Sequence, residues 1–159
     1  MFHVTFRVDG QPHAKGRPRF TRKGGFVRAY TDEKTLAYES IIRQAAQKSM
    51  GGSEPLKTAL DAFVYISLGI PSSHSKKRTL NCLNGVEKAI KKPDADNVAK
   101  SVLDACNNVI FVSDSQIVNL FVAKRYGEPH VEVLIRETEW IPCWLFLDCF
   151  WSLLWLFVF

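Results

Sequence analysis

The chain has 159 residues, 47% of them hydrophobic and 23% charged, and a formal net charge of +5. Such a composition excludes a disordered or fibrous chain, and the length suits one globular domain with a real core. The last 19 residues hold no lysine or arginine and one aspartate, so the positive excess sits in the first 140 and favours polyanionic partners.

FHVTFRV at 2–8 alternates apolar and polar residues, with Phe2, Val4, Phe6 and Val8 on one face. It reads as a half-buried strand ended by Asp9-Gly10. Residues 11–31 are rich in Gly, Pro, Lys and Arg and have no helical period, so they read as a loop or a loose hairpin turning at Gly24-Gly25. Six cations lie there without an acid: Lys15, Arg17, Arg19, Arg22, Lys23 and Arg28. Phe20, Phe26 and Tyr30 are interleaved. Cations neutralise phosphates and aromatics stack on unpaired bases, which suits DNA contact; the alternative is a solvated loop.

Thr31, Asp32 and Glu33 make a helix start, with a cap and then acids in the first turn. Tyr38, Ile41, Ile42, Ala45 and Ala46 follow at helical spacing, and Gly51-Gly52 stops the run. ALDAFVYISLGI (59–70) is β-branched and aromatic, as a central strand would be. Residues 71–92 form a polar, basic connection with a short helical turn expected around Lys76–Leu83. Lys76, Lys77 and Arg78 there extend the cationic surface.

From Asp94 the period is helical again. Ala95, Val98, Ala99, Val102, Cys106 and Val109 form the apolar stripe, with Asp96, Lys100 and Asp104 on the other side, four residues apart. SDSQ (113–116) reads as a turn. QIVNLFVAKRY (116–126) and HVEVLIRE (130–137) read as two strands joined by Gly127-Glu128-Pro129, expected to pair antiparallel. The economical architecture is α+β: a single mixed sheet of about four strands with two main helices packed on it.

KKPDADNVAK (91–100) sets two aspartates one residue apart in a basic protein. Their repulsion costs free energy unless a cation offsets it. One reading is modest: Asp94 caps the helix and Asp96 sits in its positive first turn. The other assigns chemistry. Lys88, Lys91 and Lys92 stand beside the pair, Lys100 lies one turn on, and Asp114 follows the helix in the turn before a strand. If that turn returns toward the helix, three carboxylates and Asn97 make a hard-oxygen site suited to Mg²⁺ or Mn²⁺. A metal there polarises a phosphate and activates water, and a lysine stabilises the charge that develops on phosphorus or on the leaving oxygen. Asp104 reads as an i,i+4 partner of Lys100.

PDADNVAKSVLDACNNVIFVSDSQI resembles the core motif of the RusA family of Holliday junction resolvases. The family's pattern is D-x-D-N, a lysine four residues after the second Asp, a helix ending in an apolar-aromatic stretch, then an Asp before Ser/Ala-Gln. Here those positions are Asp94, Asp96, Asn97, Lys100 and Asp114. GQPHAKGRPRFT and KRYG (124–127) resemble the Gram-positive and prophage branch. The resemblance covers about residues 1–138. Phe111 with Val112 stands where many members have tryptophan, and Ser113 where many have another acid.

The resemblance implies a RusA-like α+β fold and a homodimer that binds four-way DNA junctions and nicks two strands symmetrically, in recombination and repair. It implies that Asp94, Asp96 and Asp114 hold Mg²⁺ (Mn²⁺ as the alternative), that Asn97 supports them and that Lys100 assists. Lys15, Arg17, Arg19, Arg22, Lys23, Arg28, Lys76, Lys77, Arg78, Lys91 and Lys92 are the expected DNA contacts. Two other readings stand beside it: a non-catalytic, structure-selective DNA-binding protein, and a basic protein tethered to a membrane.

The membrane reading comes from IPCWLFLDCFWSLLWLFVF (141–159), which fits none of the patterns above. Its length approaches a bilayer span, but Asp148 interrupts it and no basic residue follows. It is a membrane anchor, an apolar flap on the sheet or a second subunit, or an appended segment without selected structure. The expected division is a nuclease domain over 1–139 and a tail over 140–159. Cys82, Cys106, Cys143 and Cys149 show no metal-binding spacing, no secretory leader is evident, and His13, His74 and His130 read as surface or structural residues. The expected location is a reducing cytoplasm.

Overall fold

The computed structural model describes residues 2–16, 19–23, 26–30 and 32–139, with side chains for 2–16 and 32–139. The 140–159 tail and its three readings lie outside the described residues. The elements run β1 (His3–Asp9), β2 (Arg19–Lys23), β3 (Phe26–Tyr30), α1 (Glu33–Met50), β4 (Leu60–Leu68), α2 (Lys76–Leu83), α3 (Ala95–Cys106), a 3₁₀ turn (Asp114–Gln116), β5 (Ile117–Tyr126) and β6 (His130–Glu137).

Four strands form one mixed sheet in the order β1-β6-β4-β5. β6 pairs antiparallel with β1 and β4, and β5 pairs parallel with β4. This is the expected α+β fold. β2 and β3 form a separate antiparallel hairpin, with Lys23 opposite Phe26.

The expected pairing of the last two strands is corrected: β4 lies between them. Burial explains this. β4 and β6 are apolar and largely buried, whereas much of β5 is exposed. The sheet therefore places β4 and β6 inside and β5 at the edge, overriding the local hairpin signal. Residues 127–129 must then cross two strand spacings, about 10 Å, over the end of β4. The passage is tight: Gly127 N–H donates to the Leu68 carbonyl at 2.9 Å, and a Cβ on Gly127 would stand 2.8 Å from Ser67 Oγ.

The core lies between one sheet face and helices α1 and α3. In-register neighbours Val4, Ile135 and Ala62 share that face, all at 3% exposure or less. α1 buries Thr35, Tyr38, Ile42, Ala46 and Met50, a narrower stripe than expected, since Ile41 faces solvent. Its cap is Asp32, and Gly51 ends it in the left-handed region at φ 57°. Phe2, assigned to the buried face, is also exposed. Among the described residues no helix covers the opposite sheet face, where Tyr65 and Phe121 are open.

On that open face Asp61 is 6% exposed and ties three elements together. It accepts hydrogen bonds from Asn119 and Thr138 at 2.8 Å and from Arg136 at 3.3 Å. Burial alone would raise its carboxyl pKa, but these bonds outweigh burial and hold it below its usual value.

Candidate active site

α3 forms because Val98, Ala99, Val102, Ala105 and Cys106 recur on one face and are buried. Asp94 occupies its N-cap, yet its side chain accepts no capping hydrogen bond. The carboxylate is thus not spent on the helix, as a purely capping role requires. Asp96 and Lys100 are exposed on the polar face, one turn apart. Among the described residues, the side chains of Asp94, Asp96, Lys100 and Asp114 form no hydrogen bond or ion pair.

Two lysines fix the backbone around these groups. Lys124 on β5 donates to the carbonyls of Lys91 and Pro93 at 2.9 and 3.0 Å, which pins the chain immediately before Asp94. Sequence reasoning missed this role, although KRYG was singled out; an alternating strand does not show where an ammonium ends up. Lys15 N–H donates to the Asn97 carbonyl at 3.1 Å, docking residues 11–16 on the first turn of α3. The Lys15 ammonium meets Asp104, with Glu39 at 3.5 Å. Burial opposes its charge, but the two carboxylates prevail and raise its pKa.

Lys15 is therefore held within the fold, and Asp104 pairs with it rather than with Lys100 as expected. The docked loop, the start of α1 and residues 92–97 enclose a cleft of about 830 Å³, lined by Lys92, Asp94 and Asn97.

Asp114 lies elsewhere. It opens the 3₁₀ turn beyond the other end of α3, and twelve helical residues separate that end from Asp94, about 18 Å of rise. β5 gives the same result: Lys124, near its end, reaches Pro93, while Asp114 precedes its start. The turn does return to the sheet, but not to the Asp94 end of the helix. It is built firmly. Ser113 and Gln116 form a capping box, and the Gln116 amide donates to the Leu56 and Thr58 carbonyls at 3.0 and 2.9 Å. Within one chain the structure brings together Asp94, Asp96, Asn97 and Lys100, and leaves Asp114 apart.

Of the expected DNA contacts, Lys76, Lys77, Lys91 and Lys92 are exposed. Arg78 is engaged by Glu87 through three hydrogen bonds of 2.8–3.1 Å. The Arg17, Arg19, Arg22, Lys23 and Arg28 side chains, with those of Phe20, Phe26 and Tyr30, lie outside the described residues. Among the described residues no helix is long and apolar enough to cross a membrane.

A Bacillus subtilis protein, the uncharacterised YqaN, is 37% identical over 140 residues, covering 86% of this chain and 97% of its own length. The family model for endodeoxyribonuclease RusA matches residues 9–136, a span that runs from the last residue of β1 almost to the end of β6 and contains Asp94, Asp96, Asp104 and Asp114. With the D-x-D-N helix, its lysine and the mixed sheet in place, the chain belongs to the RusA endodeoxyribonuclease family.

Proposed function

We propose that this protein is a divalent-metal-dependent endonuclease that resolves four-way DNA junctions as a homodimer. The observation that carries the reading is the placement of exposed carboxylates, unpartnered among the described residues, at both ends of α3, with Lys100 beside one set. Unpartnered carboxylate oxygens are hard donors suited to Mg²⁺ or Mn²⁺. Asp94 and Asp96 would hold the ion, with Asp114 and support from Asn97. When bound, it supplies Lewis-acid polarisation of a phosphate and an activated water. Lys100 stabilises charge building on the phosphate, and Lys91 and Lys92 hold the backbone of the junction.

Because one chain keeps Asp114 about a helix length from Asp94, a site containing all three must draw on two copies. β5 offers the surface. It is a ten-residue strand at the sheet edge with Val118 and Leu120 at least half exposed, a feature that invites pairing with another strand. Two β5 edges related by a two-fold axis run antiparallel. The start of each then faces the end of the other, which sets Asp114 of one copy toward Asp94 and Asp96 of its partner. The same axis relates two sites and so two nicks.

The test is subunit mixing. End-labelled junction is incubated with Asp96→Asn protein, Asp114→Asn protein, and the two exchanged into mixed dimers, with Mg²⁺ or EDTA. Each variant alone should be inactive. The mixed dimer regains one intact site and nicks one strand, in Mg²⁺ only. If mixing restores nothing while wild type cuts, the shared site is wrong. Wild type that binds junctions without cutting would return the protein to a DNA-binding module. We assign the activity to residues 1–139, so a chain ending at Thr138 should cut as the full chain does.

A further inference from the structure

The basic connection between β4 and α3 holds a second cluster that the nuclease reading does not use. His74 precedes α2, Cys82 lies in it and Glu87 follows it. Their donor atoms all lie within 4.8 Å of one another, and no other such trio of His, Cys, Asp or Glu occurs among the described residues. Spacings of eight and five residues match no common ligand motif, so the sequence did not reveal them.

The geometry has a specific character. Cys82 Sγ and His74 Nδ1 are 3.7 Å apart. Zinc bonds of about 2.3 Å to sulfur and 2.0 Å to nitrogen, at a tetrahedral angle, separate those atoms by about 3.5 Å. Arg78 grips the Glu87 carboxylate at 2.8–3.1 Å, as outer groups orient metal-binding carboxylates; Oε1 accepts two of the three bonds, while Oε2 accepts one and keeps a lone pair free. The opposite nitrogen of His74, Nε2, is buried without a partner among the described residues, and Tyr126 packs on the ring edge-on at 6.4 Å. The weak thiol contact is the one hydrogen bond this imidazole makes among the described residues, so no protein network accounts for its orientation.

We propose that His74, Cys82 and Glu87 bind one zinc-class divalent cation, separate from the carboxylate site, that braces the connection leading into Asp94. A mixed nitrogen, sulfur and oxygen set selects a borderline-soft ion such as Zn²⁺ over Mg²⁺. On binding, the Cys82 thiol gives up its proton to solvent and forms the metal–sulfur bond. The thiolate and carboxylate then balance the two positive charges, and water takes the fourth position. Burial and the nearby Glu87 carboxylate raise the thiol pKa. Binding therefore competes with protonation and tightens as pH rises.

Metal-free full-length protein is titrated with Co²⁺ alone, a spectroscopic stand-in for Zn²⁺, and the sulfur-to-cobalt charge-transfer band is followed. One Co²⁺ per chain should produce the band, and one equivalent of Zn²⁺ should remove it. Cys82→Ser should abolish the band, whereas Cys106→Ser and a Cys143→Ser/Cys149→Ser double variant should keep it. Because Cys82 is buried, Glu87→Gln is the control for folding: it should weaken Co²⁺ binding about tenfold in a chain that melts as wild type does. No band, a band that survives Cys82→Ser, or unchanged affinity in Glu87→Gln would overturn the proposal. Asp96→Asn should leave the band intact, so the outcome is independent of the nuclease site.

Discussion

The two ends of α3 solve the same problem with different chemistry. At the N-terminal end, the Lys124 ammonium holds the Lys91 and Pro93 carbonyls, and the Lys15 backbone N–H holds the Asn97 carbonyl. At the C-terminal end, neutral groups do it, with Gln116 clamping Leu56 and Thr58 and Ser113 capping the turn. In both places the positioning groups are not the carboxylates themselves, which stay exposed and, among the described residues, unpartnered. A carboxylate spent on a cap or an internal ion pair would have to lose that partner before taking a metal. Asp104 and Asp61 show the other outcome: each is consumed by the fold.

The comparison breaks most sharply at the N-terminal end. Asp96→Asn should cut junction cleavage by about a hundredfold or more, beyond what loss of an outer group costs, while leaving junction binding intact. Cleavage at the full rate would remove Asp96 from the site. Next is the surface proposed to join the two ends across copies. Leu120→Lys puts charge on the exposed edge of β5 and should shift the protein to monomer by sedimentation, with cleavage falling in step. A variant that remains dimeric and active would place the interface elsewhere.

Lys124→Met tests the cationic support. Its expected effect is about a tenfold rise in the Mg²⁺ concentration for half-maximal cleavage, with a near-normal rate at saturation. A lowered maximal rate at unchanged Mg²⁺ dependence would mean that Lys124 acts on DNA instead. The smallest effect concerns Asp61, which serves stability alone. Asp61→Asn should cost about 1–3 kcal/mol at pH 7 in denaturant melts. Its folded pKa lies below the unfolded value, so its contribution is complete above about pH 4 and is lost as pH falls through the folded pKa. Wild type and variant should converge in acid; a constant gap would show that the carboxylate's charge is not what stabilises the sheet.

Much of this was legible in the residues. α2 falls on Lys76–Leu83, and β4 is the central strand its composition implied. The D-x-D-N segment opens a helix, and the basic stretch contains a hairpin. Each of these is set by neighbours close in sequence. The misread features were long-range. Lys100 and Asp104 have ideal helical spacing, yet Asp104 went to Lys15, 89 residues away. β5 and β6 had a plausible turn, yet β4 separates them.

What the sequence alone determined is therefore local: which segments are helical or extended, and through its motif the family. What only the tertiary structure decided is proximity. The strand order arose from competition for buried positions, which no short window registers. The separation of Asp114 from Asp94 arose because α3 and β5 run side by side in opposite senses. The meeting of His74, Cys82 and Glu87 depends on how α2 and its flanks fold back on one another. Coordination, ion pairing and catalysis all depend on distances of a few ångströms, and those distances are set by packing.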